Sequence, residues 1–83
     1  MWHVYILQCA DDTYYTGIAI DVTKRVGTHN LGRGAKYTRS RLPVTLVHSE
    51  TAEDKSAALR REIVIKSLSR REKTKLIESS AVV

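Results

Sequence analysis

Two tyrosines, an arginine and a histidine stand early in this chain at a regular spacing. Tyr15 lies ten residues after Tyr5, Arg25 ten after Tyr15, and His29 four after Arg25. Two phenol hydroxyls held side by side can hold or relay a proton. Arginine and histidine four apart on a helix project from one face, where a fixed fork of donors and a group that moves protons near pH 7 suit a bound phosphate. A plainer reading exists for the tyrosines, because a chain of 83 residues without phenylalanine must fill its core with other large side chains. The fifth residue of interest is Glu62. At 100° per residue it falls in an apolar arc beside Ala58, between Ile65 and Leu59. A carboxylate there is costly unless a cation or donor meets it. A salt bridge to Arg60, Arg61 or Lys66 would satisfy it, and so would a divalent metal ion.

A second constellation occupies residues 33–41, "RGAKYTRSR", where Arg33, Lys36, Arg39 and Arg41 surround Tyr37. Cations beside an aromatic in a glycine-containing loop suit phosphate contacts with stacking on a base. The alternative is an ordinary solvated loop.

These side chains need elements to carry them. Residues 2–9 are rich in Val, Ile, Tyr and Trp and read as a strand; residues 14–20, "YYTGIAI", read as its hairpin partner, with Asp11 and Asp12 in the turn. A three-residue loop pairs Leu7 with Tyr15 and Tyr5 with Gly17. The tyrosines are then diagonal neighbours on one face, about 7–8 Å apart, with Gly17 leaving room beside the Tyr5 ring. A two-residue loop would put them on opposite faces. Asp21 offers an N-cap for a helix over 22–29, which Asn30-Leu31-Gly32 ends. Pro43 opens a third strand, "VTLVHSE", with Val44, Leu46 and His48 expected on one face. Thr51 with Asp54 reads as a capping box for the longest helix, about 53–68, along which Leu59, Ile63, Val64, Ile65 and Leu68 are spread. Ser69 with Glu72 caps a last helix to about Ser79. The order ββαβαα packs as a small three-stranded antiparallel sheet flanked by helices, an α+β (α/β) fold in one domain, residues 1–83 with a core of about 2–79.

Composition narrows the class. A net charge of +5 and a pI near 9.7 invite a polyanionic partner. The single Cys9 forms no internal disulfide and reads as a small buried hydrophobe in a reducing, cytoplasmic setting. No secretory signal and no apolar run of roughly 18 residues is visible, which argues against a membrane partner.

Taken in order, "HVYIL" with Tyr5, Tyr15-Thr16-Gly17, Arg25, His29 and Glu62 resemble the motifs of the GIY-YIG endonuclease superfamily. With "NLGRGAKYTRSRLPVTLVHSE" and "ALRREIVIKSLSRREK", nearly the full length is similar to its small stand-alone bacterial members. The chain departs from the family motifs at His3, Val4 and Thr16, and the stretch "KSLSRREKTK" lacks the asparagine that many members carry after the metal-binding helix. The resemblance implies a metal-dependent endonuclease that hydrolyses phosphodiester bonds, with a repair or recombination intermediate as the expected DNA. A non-catalytic DNA- or RNA-binding module is the alternative. It further implies one divalent metal ion on Glu62, Mg²⁺ ahead of Mn²⁺. Tyr15 would be general base or proton relay, with Tyr5 orienting it or sharing the proton. Arg25 would bind the scissile phosphate, and His29 would complete the hydrogen-bonded set. DNA is expected as partner ahead of RNA, and a monomer is favoured over an oligomer, the sequence leaving the oligomeric state open.

Overall fold

The computed structural model describes residues 1–81, with side chains for residues 1–79. The expected domain, residues 1–83, therefore runs two positions past the described chain. The elements are β1 (Trp2–Gln8), β2 (Tyr14–Ala19), α1 (Val22–Asn30), α2 (Lys36–Arg39), β3 (Thr45–Ala52), α3 (Lys55–Ser67) and α4 (Arg70–Ala81). The sheet is antiparallel with order β2-β1-β3, so the fold is α+β as the sequence indicates. The four-residue α2, inside the stretch read as a basic loop, is the one addition to the expected order.

The central strand explains its own composition. In the run Val4-Tyr5-Ile6-Leu7 all four side chains are buried, because the two faces of β1 are both covered. Tyr5 and Leu7 join Cys9, Ala19 and Val44, with Val22 and Val26 of α1 packed against them. Val4 and Ile6 join Ala58 and Ile65 of α3, with Leu76 and Ile77 of α4 against that cluster. Burying each of these aliphatic side chains is worth about 1.5–3 kcal/mol. Cys9 takes its expected place as a buried hydrophobe.

The hairpin resolves the loop-length ambiguity. The Cys9 amide donates to the Thr13 carbonyl at 2.8 Å and the Asp12 amide to the Cys9 carbonyl at 3.0 Å, enclosing Ala10 to Asp12. Asp12 adopts the left-handed conformation, φ 65°, which short polar residues tolerate. Asp11 Oδ1 accepts from the Thr13 hydroxyl at 2.6 Å. The resulting register sets Tyr5 opposite Gly17 and Leu7 opposite Tyr15, so both tyrosines share a face.

Two expectations are corrected, and the packing face of α3 is defined. A register shift between Ile6 and Leu7 leaves Val47 as an extra residue in β3, with Leu46 opposite Leu7 and His48 opposite Ile6. The bulge therefore puts Leu46 and His48 on opposite faces, where a regular strand would align them. The cap of α3 is Asp54, whose carboxylate accepts from the Ala57 amide at 2.8 Å, while Thr51 lies within β3. Finally, Leu59, Ile63 and Val64 are exposed; only Ala58 and Ile65 of α3 are fully buried. One side of a helix over a small sheet suffices to cover it. The remaining caps hold: Asp21 accepts from the Lys24 amide, and Ser69 and Glu72 cap each other's amides reciprocally.

A partly exposed ionic cluster ties β3 to α3. Glu50 accepts from Arg61 Nε at 2.7 Å and Nη2 at 3.0 Å, and its Oε2 lies 2.6 Å from His48 Nε2. The Arg61 contact above all holds the Glu50 carboxyl below the usual carboxylate range. A depressed folded pKa stabilises above the unfolded value, and that contribution disappears as pH falls through the folded value. Unfolding by urea should accordingly become easier as pH drops below about 4.5, and Glu50→Gln should flatten that dependence while costing about 1–2 kcal/mol at pH 7. Equal pH slopes in both proteins would rule the cluster out as the source.

Candidate active site

The tyrosine face of the sheet is covered by α1 and the segment that follows it. The three-residue hairpin loop aims Tyr5 and Tyr15 the same way, and Gly17 makes room: a β-carbon there would stand 2.6 Å from Tyr5 Oη and 3.2 Å from the Tyr15 ring. His29, at the end of α1, is fully buried against both. Its Nε2 lies 3.0 Å from Tyr5 Oη, and its ring meets the Tyr15 ring edge-on at 5.4 Å between centroids.

The hydrogen-bond network assigns the protons. Thr38 Oγ1 donates to the Ala35 carbonyl at 2.8 Å, so its single proton is committed. It must therefore accept, at 2.9 Å, from His29 Nδ1–H. Burial, reinforced by the nearby Arg25 charge, pushes the His29 pKa down, which keeps the ring neutral. Nε2 then carries a bare lone pair and accepts the Tyr5 hydroxyl proton. Burial also raises the Tyr5 pKa; the Arg25 guanidinium beside it pulls the other way, while Tyr15 and Glu62 add to the rise. The chain Tyr5 to His29 to Thr38 to Ala35 is thus a directed hydrogen-bond relay with an accepting nitrogen in the middle.

His29 makes stability pH-dependent. Its folded pKa lies below the unfolded value of about 6.5, so the contribution is complete above 6.5 and declines as pH falls. The urea midpoint should drop between pH 7 and 5.5, and His29→Gln should remove that drop. A midpoint that is flat in the wild type over this range would contradict the neutral, buried assignment.

Arg25 and Glu62 complete the cluster. Both act electrostatically on the Tyr5 hydroxyl, so α1, the sheet and α3 converge on it. Glu62 shares its helix face with the buried Ala58 and Ile65, and its side chain is 17% exposed. Its ion-pair partner is Lys66, at 3.6 Å. Arg25 makes no carboxylate ion pair among the described residues, so Glu62 and Arg25 do not neutralise each other. No group of three His, Cys, Asp or Glu side chains converges among the described residues. Any divalent ion here would take one protein carboxylate and fill its other positions with water and phosphate oxygens. That is the donor set Mg²⁺ accepts.

The basic segment divides in two. Arg41 is engaged within the protein: it donates to Asp11 at 3.0 Å and to the Tyr37 carbonyl at 2.8 Å, and its guanidinium lies 3.9 Å over the Tyr37 ring. Tyr37 in turn stacks toward Tyr15, 6.1 Å between centroids. Arg33, Lys36 and Arg39 are exposed, Arg39 reaching the Gly34 carbonyl at 3.5 Å. Sequence reasoning missed Thr38, Gly34 and Asn30. Asn30 grips Val44 through both backbone groups, at 2.8 and 3.1 Å, fastening α1 to the start of β3. None of these has a local signature, because each acts on a partner brought close only by folding.

The family model of the GIY-YIG catalytic domain matches residues 1–75. The chain belongs to the GIY-YIG family. That family is one of nuclease-type catalytic domains, which generally use divalent metal ions. Similar GIY-YIG relatives include a UPF0213 protein of the archaeon Halobacterium salinarum, 58% identical over 92% of this chain and 99% of the relative. A UPF0213 protein of Staphylococcus haemolyticus is 51% identical over 92% and 93%. Among solved structures, the UPF0213 protein of Bacillus halodurans matches with a TM-score of 0.63 and 43% identity, over 99% of this chain and 88% of that one. The relatives thus extend from bacteria into archaea. No helix among the described residues is long and apolar enough to cross a membrane.

Proposed function

We propose that this GIY-YIG domain, a single catalytic unit, is a metal-dependent endonuclease that hydrolyses phosphodiester bonds in DNA, repair or recombination intermediates being its expected substrates. The observation that carries the reading is the directed Tyr5–His29–Thr38 relay beside an arginine free of carboxylate partners among the described residues. A purely structural tyrosine needs a hydrogen-bond partner, but not a neutral histidine held as an acceptor.

Glu62 would hold the ion, Mg²⁺ ahead of Mn²⁺, which when bound supplies charge neutralisation at the phosphate and leaving oxygen. Arg25 would grip the scissile phosphate through its fork of donors. Tyr15 would take the proton of the attacking water as its own passes to Tyr5, and Tyr5 would release its proton to His29 Nε2. A free tyrosine is only about 0.1% ionised at pH 7, so passing a proton onward is easier than holding a standing phenolate. Arg33, Lys36 and Arg39 would contact flanking phosphates and Tyr37 a base, while Arg41 positions Tyr37.

The test is cleavage of labelled single-stranded, duplex and branched DNA, and of single-stranded RNA, with Mg²⁺, with Mn²⁺ and with chelator. Metal-dependent cleavage of a DNA substrate is the expected result. Binding to all of them with no cleavage under any metal would overturn the reading in favour of a binding module.

A further inference from the structure

A cleft of about 230 Å³ opens beside Tyr15, lined by Tyr14, Tyr15, Thr16, Tyr37, Lys66 and Lys73. It draws on β2, α2, α3 and α4 at once, and none of its residues belongs to the Tyr5–His29–Thr38 relay. Two features mark it as a ligand site. Its aromatic wall is held in place: the Tyr14 hydroxyl lies 3.2 Å from Thr74 Oγ1 and its ring lies under Arg70, while Tyr37 is backed by Arg41. Its two ammonium groups come from different helices, and Lys73 has no ion-pair partner among the described residues. Lys66 Nζ stands 3.6 Å from Glu62, so the cleft begins within one nucleotide step of the carboxylate that would hold the metal.

Aromatic rings with cations beside them are the chemistry of nucleotide recognition: the rings stack on a base and the ammonium groups take phosphates. The size limits what can enter. The cleft is smaller than the roughly 300 Å³ at which pockets for drug-sized ligands begin, so it suits one base and its phosphate rather than a double helix. A paired base presents its faces to its stacking neighbours and cannot reach such a wall.

Resting on the nuclease reading above, we propose that this cleft is a subsite for an unpaired nucleotide next to the scissile phosphate, with Lys66 and Lys73 on the phosphates and Tyr15 and Tyr37 against the base. The enzyme is then directed to single strands, flaps and junctions, and intact duplex is a poor substrate.

Fluorescence anisotropy in chelator, with a labelled single strand, its duplex and a 5′-flap duplex, tests this. Wild-type protein should bind the single strand and flap at least about tenfold tighter than duplex. In Lys66→Ser/Lys73→Ser, the slope of log K against log salt on the single strand should shrink by about 1.4, two contacts at roughly 0.7 each. Tyr37→Leu should weaken single-strand binding about fivefold or more. The lysine variant keeps the test sound if the tyrosine variant misfolds, since Lys66 is exposed and Lys73 half-buried. An unchanged slope, or duplex bound as tightly as single strand, overturns the subsite even if cleavage is observed. Failure of the wild type to bind any of the three overturns the nuclease reading together with it.

Discussion

Glu62→Ala should lose metal-dependent cleavage by about a thousandfold or more while unfolding at nearly the wild-type urea concentration. The two halves of that expectation have separate causes. In stability, the carboxylate does little: its ion-pair partner Lys66 is an exposed residue one turn along α3, and such pairs contribute a few tenths of a kcal/mol. The neighbouring Ala58 and Ile65, which make the packing, are untouched. In catalysis, no cluster of three or more His, Cys, Asp or Glu side chains among the described residues offers the ion another site. Charge stabilisation by a bound metal is worth several kcal/mol in the transition state, which sets the size of the loss. The measurement is the single-turnover cleavage rate beside a urea curve for both proteins. Retained metal-dependent cleavage in the variant would remove Glu62 from the site. Loss of cleavage with a collapsed urea midpoint would assign it a structural role instead.

The second large effect is one of stability. Gly34 lies where a β-carbon would overlap the His29 ring and stand 2.9 Å from the His29 Cα. The side chain could not swing aside, because Nδ1 is bound to Thr38 and Nε2 to Tyr5, and the backbone could not yield without moving the end of α1. Gly34→Ala should therefore destabilise by about 2–3 kcal/mol, as overpacking of a filled core does, and lower Tm by roughly 10–20 °C. Gly27→Ala is the internal contrast. It sits in α1 with nothing within 4 Å of the added carbon, and helix propensity should make it neutral or stabilising by up to about 1 kcal/mol. Thermal unfolding of both variants checks the pair. Equal Tm values would mean that the 32–36 segment moves aside freely, and that His29 is not clamped as described.

His29 shows how sequence and structure divide the information. Its spacing from Arg25 is visible in the chain, and so is its usefulness beside a phosphate. Its tautomer is not, because the proton assignment depends on Thr38, which reaches it only through the turn that brings α2 back over α1. The tyrosines divide similarly. Their alternation along two strands leaves two arrangements, and the choice hangs on one loop residue, Asp12, accepting a left-handed conformation. Sequence alone cannot see that cost being met by the Asp11–Thr13 and Arg41–Asp11 contacts.

Local rules did determine a good deal. The strands and the three longer helices, the caps at Asp21 and Ser69–Glu72, and the half-buried Glu62 all follow from periodicity and short-range hydrogen bonding, which act within a few residues. Tertiary structure decided what depends on neighbours distant in the chain. The bulge at Val47 turned His48 to the face where Arg61 and Glu50 meet. The small sheet left Leu59, Ile63 and Val64 in water despite their hydrophobicity, since burial needs a surface to pack against. Arg41, one cation among four by sequence, was claimed by Asp11 and Tyr37, and Lys66 and Lys73, unremarkable on their own helices, met across a cleft. Side-chain type and local period are properties of the chain; who faces whom belongs to the packing, because only the fold brings the partners within hydrogen-bonding reach.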